Sequence, residues 1–348
     1  MTMTDVTIIG GGPAGLYASF YSGVRGMSAR IIDVQSTLGG KMQIYPEKII
    51  WDIGGLAPKP CYEVIEDLIQ QGTHFEPELC LEEKVIDIKK VKEQHFIVYT
   101  EKGNEYHSKA VIIAVGSGII KPLTLDIEGA ERFELTNLNY VVQSMQKYKD
   151  KHILISGAGN SALDWARDLS EYAKQVTLCY RKDEISGHEY MRDLLDQLNI
   201  SKKPSMTIKQ LNSHPNEPII TEVVLENVTT HEQEIIPVDE VIISHGFDQD
   251  ADLLHQAQAK VNLVDNFFIE GIGNCQTSVP GIYGAGDILK HDAKVHLIAS
   301  CFTDAAHAAN LAKTYIQPDA QEEGLVSSHN DLFKDKNKSV IKKYMSQS

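Results

Sequence analysis

The chain has 348 residues, 42% of them hydrophobic and 23% charged, the make-up of a soluble globular protein with about two domains. Lys plus Arg total 33 against 48 Asp plus Glu, and the formal charge of −15 speaks against binding to nucleic acid. Five scattered cysteines without a C-x-x-C exclude a disulfide scaffold and a zinc ribbon, and the lack of a long apolar run predicts neither signal peptide nor membrane span.

In chain order, Val6 to Ile9 reads as a short strand that runs into Gly10-Gly11-Gly12-Pro13-Ala14-Gly15 and then a helix from Leu16. This is G-x-G-x-x-G in its proper setting. Gly10 permits the turn, Gly12 lets backbone approach a pyrophosphate, and Gly15 lets the helix lie on the strand. A second strand, Ala29 to Ile32, ends at Asp33, whose carboxylate suits the ribose hydroxyls of an adenosine. Lys84 to Thr100 alternates apolar and polar residues, as a small β-meander does. Lys109 to Gly118 reads as a buried parallel strand with a glycine exit.

The pattern then recurs. Lys151 to Ser156 is a strand, Gly157-Ala158-Gly159-Asn160-Ser161-Ala162 is G-x-G-x-x-A, and a helix follows to Tyr172. The next strand, Val176 to Tyr180, ends in Arg181-Lys182 where the first copy has an acid. Two cations there favour a 2′-phosphate, and so NADP over NAD. Glu240 to Phe247 closes this unit. Pro280 to Asp287 is a further strand ending in Gly-Ala-Gly-Asp, with a helix expected from about Ala293 to Tyr315. Asp287 at that helix can reach a ribityl hydroxyl or a phosphate. Two nucleotide folds in one chain imply two dinucleotides, as in a flavoprotein that exchanges electrons with a nicotinamide cofactor.

The expected fold class is therefore α/β, with two Rossmann-like dinucleotide-binding domains (three-layer ββα), the second inserted in the first. The FAD-binding domain is expected at 1–118 plus 250–325, the NADP-binding domain at 119–249, and a C-terminal extension at 326–348, to which the family resemblance given below assigns the covering of the flavin. Short linkers at Lys121-Pro122 and His245-Gly246-Phe247 suit hinges. His188 and His245 read as surface or packing residues, and Cys275 and Cys301 as buried small residues. Lys334 to Ser348 carries five lysines against Asp335. It reads either as a solvated tail or as a basic docking patch.

Over nearly its whole length the sequence resembles flavoproteins with two dinucleotide-binding domains, of the thioredoxin-reductase-like branch. That branch carries a dithiol shortly before the second glycine loop. Here the stretch is Asn139-Tyr140-Val141-Val142-Gln143-Ser144-Met145, without a thiol, so thioredoxin reduction by that route is closed. Gln43 to Lys48, Asp52 to Gly55 and the C-terminal Val326 to Phe333 make it similar to the bacterial ferredoxin (flavodoxin)–NADP(+) reductases of this type. The resemblance implies hydride transfer from NADPH to FAD at N5, then single electrons to ferredoxin or flavodoxin, in a homodimer, and the odd, sparse set of cysteines suits a reducing cytoplasm. The resemblance implies that Tyr45 stacks on one flavin face and His329 covers the other. It also implies FAD contacts at Asp33, Lys41, Tyr45, Val85 (by its backbone, at the adenine), Ile120, Asp287 and Ser328. Lys41 stands where glutamine is common, and Ile120 where an aromatic is common. No side chain is needed as acid or base, and no metal is expected. Two other readings stay open: an NADPH-dependent flavoprotein reducing quinones or small oxidants, and a non-catalytic redox sensor.

Overall fold

The computed structural model describes residues 3–185, 194–195, 197–198, 200–214, 217–250, 252–272 and 275–345, without the side chains of 119–121 and 248–250. His188 and the Ile120 side chain lie outside the described residues. The chain divides into two compact units. One comprises 1–43, 50–119 and 250–348, and the other comprises 44–49 and 120–249.

The first unit opens with β1 (Thr4–Ile9), α1 (Pro13–Val24) and β2 (Ala29–Ile32). α2 (Cys61–Gly72), β3 (Glu78–Cys80) and the meander β4 (Val85–Lys92), β5 (His95–Thr100) and β6 (Glu105–Ile113) follow. β1 pairs in parallel with β2 and with β6, while β4, β5 and β6 pair antiparallel. On the edge away from β1, β6 is long enough to serve two partners. Its first half pairs with β5, and Val111 to Ile113 pair in parallel with a late strand, Ile282–Gly284. The central strands are apolar throughout because both faces of a parallel sheet are covered: Val6, Ile8, Ile31, Ile32, Val111 and Ile112 are fully buried.

The second unit holds β7 (Leu138–Asn139), β8 (His152–Ser156), α3 (Asn160–Ser170), β9 (Gln175–Cys179) and β10 (Ile200–Lys203). The antiparallel strands β11 (Met206–Ser213), β12 (Ile220–Asn227) and β13 (Gln233–Pro237) precede β14 (Glu240–Ile243). The parallel sheet runs β7-β14-β8-β9-β10. Alternate residues serve two cores. Ile153, Ile155, Val176, Leu178 and Ile242 pack with Leu163, Trp165 and Ala166 of α3, whereas Leu154, Cys179, Val241 and Ile243 pack with Ile208, Val223 and Leu225 of the antiparallel layer. Helix, parallel sheet and antiparallel sheet are the three expected layers.

Back in the first unit, β15 (Ile282–Gly284) leads through a 3₁₀ turn, Gly286–Ile288, to α4 (Ile298–Ile316). This helix starts five residues later than Ala293, because 293–297 form the approach that turns Lys294 inward. The lysine-rich C-terminus is no loose tail: 334–345 form the helix α5 (Lys334–Met345).

Candidate nucleotide sites

In the first unit the three glycines have distinct steric duties. Gly10 adopts φ +106°, and a Cβ there would lie 2.4 Å from the Ala114 carbonyl oxygen. A Cβ on Gly15 would lie 1.8 Å from the Gly10 oxygen, so α1 sits as close to β1 as backbone permits. Gly12 borders a cradle whose far wall is Gly40. A Cβ on Gly40 would stand 2.8 Å from the Gly12 Cα, and the Gly39 amide donates to the Gly11 carbonyl at 2.9 Å. α1 has Gly12 at its cap with no side chain closing it, which leaves helix amides for an anion.

Asp33 is buried at the tip of β2. One carboxylate oxygen accepts the Gly11 amide at 2.5 Å and the other the Gln35 amide at 2.8 Å. Burial raises its pKa above the ordinary value of 3.8, against the pull of these amides. The acid thus braces the glycine loop, and each oxygen keeps lone-pair capacity for a ribose.

Gly286, at φ +79°, has the Ala14 Cβ 2.8 Å from its own would-be Cβ, so the turn carrying Asp287 lies against the start of α1. Asp304 of α4 secures that turn. Its carboxylate accepts the Gly286 amide at 3.1 Å and pairs with the buried Lys294 ammonium. The structure therefore gathers Gly10, Gly12, Gly15, Asp33 and Asp287 around one glycine cradle, with the exposed Lys41 next to Gly40. Val85 is buried at the start of β4. Ser328 and His329 are exposed and bonded to each other at 3.1 Å.

Tyr45 belongs to the second unit. It packs against the α3 core of the second unit, where its neighbour Lys48 sits 4.3 Å above the Trp165 ring and pairs with Asp168.

The second glycine loop is more open. Gly157, at φ +147°, has the Ser244 carbonyl 2.3 Å from its would-be Cβ, whereas Gly159 has nothing within 4 Å. Asn160 and Ser161 begin α3 and are exposed, as are Arg181 and Lys182 at the tip of β9. Across the loop, His245 follows β14 and bonds the Ser156 hydroxyl at 2.8 Å. Loss of hydration and the Arg181 charge hold its imidazole below 6.5. Sequence reasoning set His245 aside. The signal was its position, directly after a strand adjacent to the glycine-loop strand, at the carboxyl edge where such sheets bind ligands. Gly40 and the Lys294–Asp304 pair were also missed.

Cys61, Cys179, Cys275 and Cys301 are buried and all five cysteines are unbridged. Burial pushes the Cys61, Cys275 and Cys301 thiols up to about 12 and Cys179 to about 11, which suppresses the thiolate needed for disulfide exchange. Among the described residues no group of three or more His, Cys, Asp or Glu is placed to hold a metal ion, and no helix is long and apolar enough to cross a membrane.

Residues 4–309 match the family described as pyridine nucleotide-disulphide oxidoreductase. The chain belongs to this family. A "Ferredoxin--NADP reductase" from Staphylococcus saprophyticus is 62% identical over 343 residues, covering 99% of this chain and all of that one. "Ferredoxin--NADP reductase 1" from Bacillus licheniformis is 50% identical over 97% of each chain. Within the pyridine nucleotide-disulphide oxidoreductases the chain thus falls with the ferredoxin–NADP reductases, the group that its sequence resembles. In fold it matches the thioredoxin reductase of T. acidophilum, with a TM-score of 0.69 at 24% identity over 90% of this chain and 99% of that one. It also matches a bacillithiol disulfide reductase from Staphylococcus aureus, with a TM-score of 0.65 at 20% identity over 92% of this chain and 100% of that one.

Proposed function

We propose that this oxidoreductase passes electrons between NADPH and ferredoxin or flavodoxin, with FAD as resident cofactor. The observation that carries the reading is the contrast between two glycine loops, one ending in a buried acid and the other in exposed cations, on a chain with four of its five thiols buried. The names of relatives up to 62% identical support it.

The first unit offers what FAD needs: a glycine-walled cradle at Gly12 and Gly40, an uncapped helix start for the pyrophosphate, Asp33 for a ribose and Asp287 for the ribityl chain or a phosphate. We assign Lys41, Tyr45, Val85, Ile120 and Ser328 to the same cofactor, with His329 as a cover, in keeping with the family resemblance. Bound FAD supplies the conversion of a two-electron hydride donor into one-electron transfers. In the second unit, Gly157, Gly159, Asn160 and Ser161 receive the pyrophosphate of NADPH, and Arg181 and Lys182 its 2′-phosphate. One NADPH then reduces two one-electron carriers and leaves NADP⁺ and one proton. The residues act by holding, orienting and excluding water, and none takes or gives a proton at the reacting atoms. The domain division at 118/119, 249/250 and 325/326, the homodimer and the cytoplasmic location belong to this reading.

The test is cytochrome c reduction driven by NADPH, with and without ferredoxin, and with NADH in parallel. A large ferredoxin-dependent rate with NADPH and little with NADH is expected. Bleaching of the flavin by NADPH without any ferredoxin dependence would move the protein to the reduction of quinones or small oxidants.

A further inference from the structure

Helix α5 (Lys334–Met345) has no buried residue. It carries Lys334, Lys336, Lys338, Lys342 and Lys343 against Asp335, a charge of 5 − 1 = +4 in a chain of −15, so the rest carries −15 − 4 = −19. At about 100° per residue, Val340, Ile341, Tyr344 and Met345 fall on one stripe, exposed by 51, 55, 70 and 73%. Lys338 and Lys342 border the stripe on one side and Lys336 and Lys343 on the other, while Lys334 lies in line with the stripe at the start of the helix. Its root is fixed. Phe333 stacks on His74 at 6.0 Å and meets Phe75 edge-on at 5.9 Å, and Lys336 Nζ lies 2.9 Å from His74 Nε2.

A short helix kept only by solvation has no use for four large apolar side chains on one face. A compact apolar stripe with a charged border is the pattern of an interface. The charge distribution selects the occupant: an acidic partner is repelled by the remaining surface and attracted here. The stripe is four residues wide, small for a stable dimer and suited to the brief, low-area encounters of electron-transfer proteins.

We propose that α5 is the docking surface for an acidic one-electron carrier protein. The inference rests on the functional reading above. It also explains the extension's layout, since α5 begins 334 − 329 = 5 residues after His329, the proposed flavin cover.

The test uses the full-length, FAD-loaded protein carrying Lys338→Glu, Lys342→Glu and Lys343→Glu, assayed with NADPH, ferredoxin and cytochrome c at low salt. The KM for ferredoxin rises about tenfold with kcat and NADPH-driven ferricyanide reduction unchanged, and the gap closes at high salt. In a second variant, Val340→Ser with Ile341→Ser, the rise persists at high salt, because apolar contact is not screened. An unchanged ferredoxin KM in both variants overturns the proposal. An unchanged KM with a shift in solution mass would assign α5 to a second copy of this chain. An unchanged KM with wild-type sedimentation on phosphatidylglycerol vesicles would assign it to lipid. A wild-type protein that reduces ferredoxin from NADPH at no measurable rate would overturn the functional reading itself.

Discussion

In the first glycine loop the third position is Gly15, where a Cβ would lie 1.8 Å from the Gly10 carbonyl oxygen. In the second it is Ala162, whose real Cβ is buried at the start of α3. The first loop is walled by Gly40 and braced from below by the buried Asp33, while the second leaves Gly159 open and ends among the exposed Arg181 and Lys182. A tight, braced cradle suits a ligand that stays. An open one with cations at its rim suits a ligand that arrives, is read by its charge, and leaves. In the proposed function, the same fold serves a cofactor and a substrate through a handful of side chains.

Matched substitutions at the third position break this comparison most severely. Gly15→Ala forces α1 off β1 and is expected to abolish FAD retention and cost about 3 kcal/mol or more of stability. Ala162→Gly costs only about 0.5–1 kcal/mol, through helix propensity. Flavin absorbance after gel filtration and denaturant unfolding check both.

The next effect is on nucleotide choice. Replacing Arg181 and Lys182 by Ala removes charge-assisted bonds worth about 1.5–3 kcal/mol, so the KM for NADPH rises about 10- to 100-fold while that for NADH stays put. Steady-state kinetics with both nucleotides measures it.

Asp33 sharpens the contrast through pH. Its native pKa is raised above 3.8 by burial, so the folded protein binds that proton more tightly than the unfolded chain. The ionised carboxylate therefore costs stability at neutral pH, and the cost is relieved as pH falls through the native pKa toward 3.8. In FAD-free protein, wild type gains stability relative to Asp33→Asn over that window, as paired urea titrations would show.

The smallest effect is at His245, whose imidazole lies below 6.5 in the free protein. An anionic dinucleotide beside Arg181 raises it, and an NMR titration with and without NADP⁺ reads the shift.

Much of this was legible in the sequence because glycine spacing is steric and strands are apolar on both faces. Gly10, Gly15 and Gly157 stand where a Cβ has no room, and Ala29–Ile32 is the strand that the periodicity predicts. What stayed hidden depends on contacts distant in sequence. Lys294 reads as a surface lysine until Asp304, ten residues on, brings its ammonium indoors and delays the start of α4 to Ile298. Tyr45 lies among first-unit residues in the chain, yet Lys48 on the Trp165 ring carries its segment into the second unit. The helical pattern of α5 was obscured by its lysines, which read equally well as a solvated tail.

The most direct test of the two-loop account is the visible spectrum of two purified variants, Gly12→Val and Gly159→Val, before and after anaerobic NADPH. A colourless Gly12→Val protein is expected, and a yellow Gly159→Val protein that NADPH no longer bleaches. A Gly12→Val protein that keeps its flavin, or a Gly159→Val protein that loses it, would contradict the assignment of the two nucleotides to the two loops.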